Sequence, residues 1–262
     1  MLTIILIEGR SEPDALVASL QNVKDSAGGN EIILIAPEAV QGVPFVWLEG
    51  ASPALALHQA ISQAKGSNLL LLNGRMEFSA QAMRALVCGL AERDLSGLSY
   101  TPLKIGEEVI DLPELNLDTL VSTVANTNFW PIAALAGRRE IFEQLGRVAG
   151  DTYAQVAVSL ILRAAIEHIE LCESGSPLES SVPVALETCR LSDATRAQLV
   201  NFILGECNIE DLFPRHAWDT FEEESAAACY HTLAAIFIRL GDIESANECL
   251  SFSDRLEEHP RS

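Results

Sequence analysis

Ser52 to Leu90 reads SPALALHQAISQAKGSNLLLLNGRMEFSAQAMRALVCGL, and its order of helix, apolar strand and helix decides the fold class. Ser52 followed by Pro53 is a helix start, a hydroxyl cap with proline in the first turn. Leu57, Ile61 and Ala64 recur at spacings of four and three, which is one helical face, and Gly66 ends it. Asn68 to Leu72 (NLLLL) is then a continuous apolar run of strand length. Ser79 opens a second helix that carries Met83, Leu86, Val87 and Leu90.

The same alternation precedes this stretch. Leu2 to Ile7 (LTIILI) is an apolar run, and Ser11-Glu12-Pro13 starts a helix with Leu16, Leu20 and Val23 on one face, stopped at Gly28-Gly29. Glu31 to Ala36 and Phe45 to Leu48 are further strands. Strands that are apolar throughout are buried on both faces, as in a parallel sheet flanked by helices. The expected fold class is therefore α/β, with a mostly parallel sheet flanked by helices and followed by a small all-α domain. Such sheets bind ligands at the carboxyl ends of their strands. Here those ends are Glu8-Gly9-Arg10, Ala36-Pro37-Glu38 and Asn73-Gly74-Arg75.

Beyond residue 94 the pattern is less regular. Gly137 to Gly146 reads as a short helix, Tyr153 to Ile166 as a longer one and Ile169 to Cys172 as a strand. The turn-rich Ser174 to Pro183 marks a boundary. After it everything is helical: Ser192-Asp193 caps a helix to about Gly205, and Phe221 to Leu240 and Ile243 to Leu256 form a pair joined at Gly241-Asp242. The expected domains are 1–180 and 190–262.

Composition bounds the function. Of 262 residues, 17 are Lys or Arg and 37 Asp or Glu, a net charge of −20, which repels phosphate backbones and anionic membranes. A nucleic-acid partner is not expected, and any nucleotide site needs its own local positive charge. No apolar run approaches the roughly 20 residues of a membrane span. MLTIILIEGR lacks the basic and small-residue flanks of a signal peptide. The six cysteines form no C-x-x-C pair, which suggests free thiols in a reducing cytoplasm.

The order of these motifs resembles the family-2 glycosyltransferases, with the GT-A, nucleotide-diphospho-sugar transferase fold. The opening LTIILIEGRSEPDALVASLQNV matches that family's first strand and helix. ALHQAISQAKGSNLLLLNGRMEFSAQAM, Ala56 to Met83, matches the helix, A-K-G turn and strand that lead to its metal motif. ALAGRREIFEQLG, Ala134 to Gly146, resembles the acceptor-side segment, and VAVSLILRA, Val156 to Ala164, the following helix. The likeness spans roughly residues 1 to 175 and implies a nucleotide sugar as the ligand class.

Three departures bear on activity. The family's base-reading aspartate near the end of the second strand is replaced by Ala36-Pro37. Its metal-binding Asp-x-Asp is replaced by Asn73-Gly74-Arg75, so a divalent metal is not expected. Its Glu-Asp pair, counted back from Arg163, falls on Val156 and Ala157, neither of which takes a proton. A general base is worth on the order of a hundred- to ten-thousandfold, and a departing diphosphate needs its charge neutralised. The expectation is a pseudoenzyme. Arg75 and Arg10 are candidates to bind a diphosphate directly, since guanidinium forks suit phosphate oxygens. Asn73, Glu38 and Glu77 complete the nucleotide-side set. Asp151 is a weak candidate base whose competing role is an N-cap. Arg138 and Arg139 are acceptor-side candidates by resemblance, and His58 is read as structural.

Residues 227 to 260 resemble one tetratricopeptide repeat. Tyr230, Leu233, Ala234 and Phe237 fall at the first-helix packing positions, Leu240-Gly241-Asp242 matches the turn, and Ala246 the close crossing. A single repeat cannot bury both faces. That implies a protein partner or self-association through the helical domain. Three functions stay open: a transferase using Arg75 in place of a metal, a nucleotide-sugar sensor without turnover, and a scaffold.

Overall fold

The computed structural model describes residues 1–7, 21, 23–25, 29–36, 45–46, 52–74, 76, 79–91, 95–146, 148, 150–174, 177–179, 189–218 and 222–258. The expected helix start at Ser11 and its Leu16 and Leu20 lie outside them. The chain divides into two compact units, Met1–Leu112 with Phe129–Arg190, and Pro113–Asn128 with Leu191–Ser262. The second unit thus includes a segment that the sequence-based boundary at residue 190 leaves in the first.

The first unit is built on strands β1 (Leu2–Ile7), β2 (Glu31–Ile35) and β3 (Phe45–Val46), helix α1 (Pro53–Gln63), strand β4 (Asn68–Asn73) and helix α2 (Ala80–Ala91). It continues with β5 (Leu98–Ile105) and β6 (Glu108–Ile110). After the excursion into the other unit come β7 (Ile132–Arg138), α4 (Arg139–Leu145), α5 (Tyr153–Ile166), β8 (Leu171–Glu173) and β9 (Leu178–Glu179); α3 (Leu120–Asn126) belongs to the second unit. The sheet order is β3-β2-β1-β4-β7-β5-β6, with β8 and β9 also on β5. The pairs β1–β2, β2–β3, β1–β4, β5–β8 and β5–β9 are parallel. Those that involve β7 or β6 are antiparallel. The sheet is mostly parallel and flanked by helices, as its apolar strands require.

Burial explains the strand sequences. All six residues of β1 are buried, as are Leu69 to Asn73 of β4. Ile4, Leu6, Leu70 and Leu72 pack on one face with Met83, Leu86, Val87 and Leu90 of α2. On transfer grounds each such side chain contributes about 1.5–3 kcal/mol. The antiparallel strands were the least legible. Read as the start of a helix, Gly137 and Arg138 instead end β7, whose IAALAG run is buried throughout. Its alanines are weak strand formers taken as strand by burial on both faces. The helix begins at Arg139 and stops at Gly146, whose φ of 67° suits glycine.

The second unit comprises a short 3-10 turn at Leu117–Thr119, α3, α6 (Asp193–Glu206), α7 (Ile209–Leu212), α8 (Glu222–Leu240) and α9 (Ile243–Glu258). Ser192 caps α6 by accepting from Thr195 N–H, as its sequence predicts. Arg196 donates from Nη1 to the Ala125 carbonyl at the end of α3. In the α8–α9 hairpin Leu233, Ala234, Phe237 and Ala246 are buried. Ser253 is fully buried because its hydroxyl donates to the Ala227 carbonyl, at 3.3 Å. No helix among the described residues is long and apolar enough to cross a membrane.

Candidate functional site

The parallel register sets Ile35, Ile7 and Asn73 side by side at the carboxyl ends of β2, β1 and β4. The chain order places β2 and β3 on one side of β1 and β4 on the other, so the β1–β4 boundary is a topological switch point, where open α/β sheets hold ligands. Gly74 N–H donates to the Ile7 carbonyl at 2.9 Å, and Met76 N–H to the Asn73 carbonyl at 3.1 Å. The first bond continues the β1–β4 ladder one residue past β4, and the second closes a turn directly after it. Met76 is buried in the core and anchors the turn's far side, and Asn73 is only 1% exposed. Of the nucleotide-side candidates, Asn73 is thus fixed at the switch point. Arg10, Glu38, Arg75 and Glu77 lie outside the described residues.

Helices α1 and α5 begin at this end. Lys65 and Gly66, just past α1, touch Glu31 and Thr3 at the amino ends of the strands. The 11 residues of α1 therefore rise about 16 Å back to the carboxyl end. There Ala54 N–H donates to the Gly150 carbonyl at 3.3 Å, which ties the start of α1 to the segment leading into α5. The first turn of α1 is closed: Pro53 has no N–H, Ala54 is taken by Gly150, and Leu55 is held by the Ser52 hydroxyl. The start of α1 therefore presents no spare amide to an anion from these three residues.

Asp151 stands exposed at the entrance to α5. It is not the cap. Thr152 is, accepting from Gln155 N–H at 3.3 Å, while Gln155 Oε1 accepts from Asp151 N–H at 2.6 Å. The signal missed in the sequence is the spacing Thr152-x-x-Gln155, a capping box. Thr152 takes over the capping role and leaves the Asp151 carboxylate facing outward. Gly150 is required: its φ is 145°, and a Cβ there would stand 2.7 Å from Gln155 Cβ and 2.9 Å from Val156 N. Behind it, Tyr153 is buried, and its hydroxyl has no hydrogen-bond partner among the described residues. Burial first, and the Cys189 thiol second, push its pKa well above 10.0.

Arg138 and Arg139 sit elsewhere. Arg138 pairs in register with Asn68, at the amino end of β4. Five residues separate it from Asn73, about 16 Å along the strand. Arg139 Nη1 donates to the Ala64 carbonyl beyond α1 at 2.9 Å, its Nε lies 3.5 Å from Glu143, and its amide donates to Ser67. A cation at a helix carboxyl end is favourable. The geometry does not bring this pair together with Asn73 and Asp151. Trp130 is fully buried, with its amide donating to the Cys189 carbonyl.

Among the described residues no three His, Cys, Asp or Glu side chains are grouped to hold a metal ion. No protein-family model matches the chain, and no curated protein matches it in sequence. Solved structures do share its fold. S. aureus TarS 1–349 in complex with UDP-GlcNAc superposes with a TM-score of 0.56 at 9% identity, over 97% of this chain and 92% of that one. The mannosyltransferase PcManGT from Pyrobaculum calidifontis, in complex with GDP-Man and Mn2+, gives 0.50 at 14% identity, over 97% and 84%. TarS 1–349 with UDP gives 0.50 at 12% identity, over 100% and 93%. The chain has a GT-A-like glycosyltransferase fold.

Proposed function

We propose that this chain binds a nucleotide-diphospho sugar at the carboxyl ends of β1, β2 and β4 and has lost the usual metal-dependent transfer. The observation that carries this reading is the Asn73-Gly74 turn at the switch point of a GT-A-like sheet, in a sequence that continues with Arg75. Two solved neighbours hold UDP-GlcNAc and GDP-Man, which supports the ligand class. An amide and a guanidinium in place of two carboxylates suit phosphate oxygens better than a divalent cation. Arg75, with Arg10, supplies the local positive charge that a protein of net charge −20 otherwise lacks. Glu38 and Glu77 complete the nucleotide side. Asp151, freed from capping by Thr152, is the residue to accept a proton from an acceptor hydroxyl in any residual transfer. None of the six cysteines is in a disulfide, which supports a cytoplasmic setting.

Titration calorimetry with uridine, guanosine and thymidine diphosphates, each with and without manganese, tests the reading. Saturable binding without manganese, lost in Arg75→Ala, is expected. Binding that requires manganese, or that survives Arg75→Ala, would overturn it. Product formation by wild-type protein that is abolished in Asp151→Asn would show that transfer persists.

A second reading, a protein-interaction scaffold acting through its helical, tetratricopeptide-like end, is favoured by one observation. Phe252 on α9 stays 46% exposed although it is stacked on Tyr230.

A further inference from the structure

The α8–α9 hairpin buries only one side of α9. Ala246, Cys249 and Ser253 face inward, and the opposite side carries Glu244, Asn247, Glu248, Ser251, Phe252 and Arg255 along a groove of 560 Å³. Phe252 is its centre. The Tyr230 ring stacks on it with centroids 5.3 Å apart, and the Arg255 guanidinium lies 4.4 Å from the ring centroid. Arg255 is held there by a bond from its Nε to the Ser251 carbonyl at 3.0 Å. An exposed aromatic held by two neighbouring side chains is a preorganised anchor site, because little side-chain entropy is left to lose on binding.

The charge around it selects the occupant. Residues 222–256 hold seven acidic residues against Arg239 and Arg255, a net of −5. Glu244 and Glu248 stand one helical turn apart on the groove itself, next to the exposed ring. Two copies of this face would set four carboxylates, Glu244 and Glu248 of each, against only two Arg255 guanidinium groups, and an anionic surface would meet the same excess of negative charge.

We propose that the α9 groove docks a basic amphipathic helix of a partner protein. Lys or Arg side chains of that helix pair with Glu244 and Glu248, and an apolar side chain lies against Phe252. The proposal rests on the scaffold reading and gives it a face and a partner chemistry.

The probe is a fluorescein-labelled Leu/Lys amphipathic peptide of about 18 residues, five helical turns, with a scrambled Leu/Lys peptide and a Leu/Glu peptide as controls. Anisotropy is read against the full chain at physiological salt. The amphipathic Leu/Lys peptide is expected to bind, and both controls to fail. E244Q/E248Q and F252A should each weaken binding about tenfold or more. E107Q/E108Q, which removes the same charge from an exposed turn of the first unit, should leave it unchanged. Equal loss in E107Q/E108Q, or equal binding of the scrambled peptide, would reduce the effect to net charge and overturn the proposal. A hydrogen-exchange footprint of the peptide on other helices of the same unit would overturn the α9 face and leave the scaffold reading standing. No binding of any peptide would remove the proposed chemistry. If an immobilised second unit, presented within the full chain, then also captures no partner from the native source, the scaffold reading falls with it.

Discussion

The two ends of the central sheet are built differently. At the amino end the polar groups are tied to one another. Thr3 Oγ1 donates to Glu31 Oε2 at 2.6 Å, Gly66 N–H donates to Thr3 Oγ1 at 2.9 Å, and Lys65 N–H donates to Glu31 Oε2 at 2.7 Å. Arg139 closes the carboxyl end of α1 beside them. At the other end the chain leaves β4 in a tight turn, Asp151 is exposed, and the Tyr153 hydroxyl is buried without a partner among the described residues. The amino-end bonds tie β1, β2 and the end of α1 together. The carboxyl end carries Asn73 and the exposed Asp151, the described residues that the proposed nucleotide site uses. The A-K-G turn, read in sequence as a family mark, is thereby explained as structure: Lys65 and Gly66 complete the amino-end network.

This contrast is sharpest at Gly66. A Cβ there would lie 2.7 Å from Thr3 N and 2.8 Å from the Met1 carbonyl, both backbone atoms. Gly66→Ala should cost about 3 kcal/mol and lower the unfolding midpoint by about 6–12 °C in calorimetry, with nucleotide affinity of the folded fraction unchanged. Impaired nucleotide binding at unchanged stability would break the division between ends. Arg139→Ala should have a smaller effect, about 1–2 kcal/mol for a charged hydrogen bond at a helix end, again with affinity unchanged. If it instead weakened acceptor-dependent turnover at constant stability, Arg139 would have a role at the ligand end that its position on Ala64 denies.

Tyr153 tests the opposite end with the opposite sign. Removing an unpaired buried hydroxyl stabilises, so Tyr153→Phe should gain about 1 kcal/mol in denaturant unfolding at neutral pH. The phenol is held protonated in the fold, because burial raises its pKa. Its contribution is therefore fully present below the ordinary tyrosine value near 10.0 and is lost as pH rises through the folded value, while the unfolded chain ionises. The alkaline loss of stability above about pH 10 should be smaller in Tyr153→Phe than in wild type. An equal loss would place the alkaline titration elsewhere.

Elements whose sequence and burial agree were legible. Continuous apolar runs gave β1, β2 and β4, and α5 matches its expected bounds of Tyr153 to Ile166. The strands β5 and β7 carry no continuous run of strong strand formers. LSYTPLKI mixes polar residues and a proline into a strand whose Ser99 and Thr101 are buried. IAALAG has a composition that suits a helix as well as a strand until burial on both faces decides it. Asn73 ends β4 at the carboxyl edge, where its apolar run puts it. Arg138 ends β7, which runs opposite to β4, so that end is at the other edge of the sheet. Strand direction is a long-range property that no local spacing records. The segment 113–128 groups with the second unit because its buried face, Leu120, Val121, Val124 and Ala125, is met only in the fold.

Hydrogen exchange of the full chain with and without millimolar uridine diphosphate tests the central claim most directly. Protection is expected in peptides covering Asn73–Met76 and Gly150–Gln155, with none at Ala64–Ser67 or Arg138–Glu143. Protection confined to the amino-end peptides, or no protection at saturating ligand, would contradict the assignment of the carboxyl end as the nucleotide site.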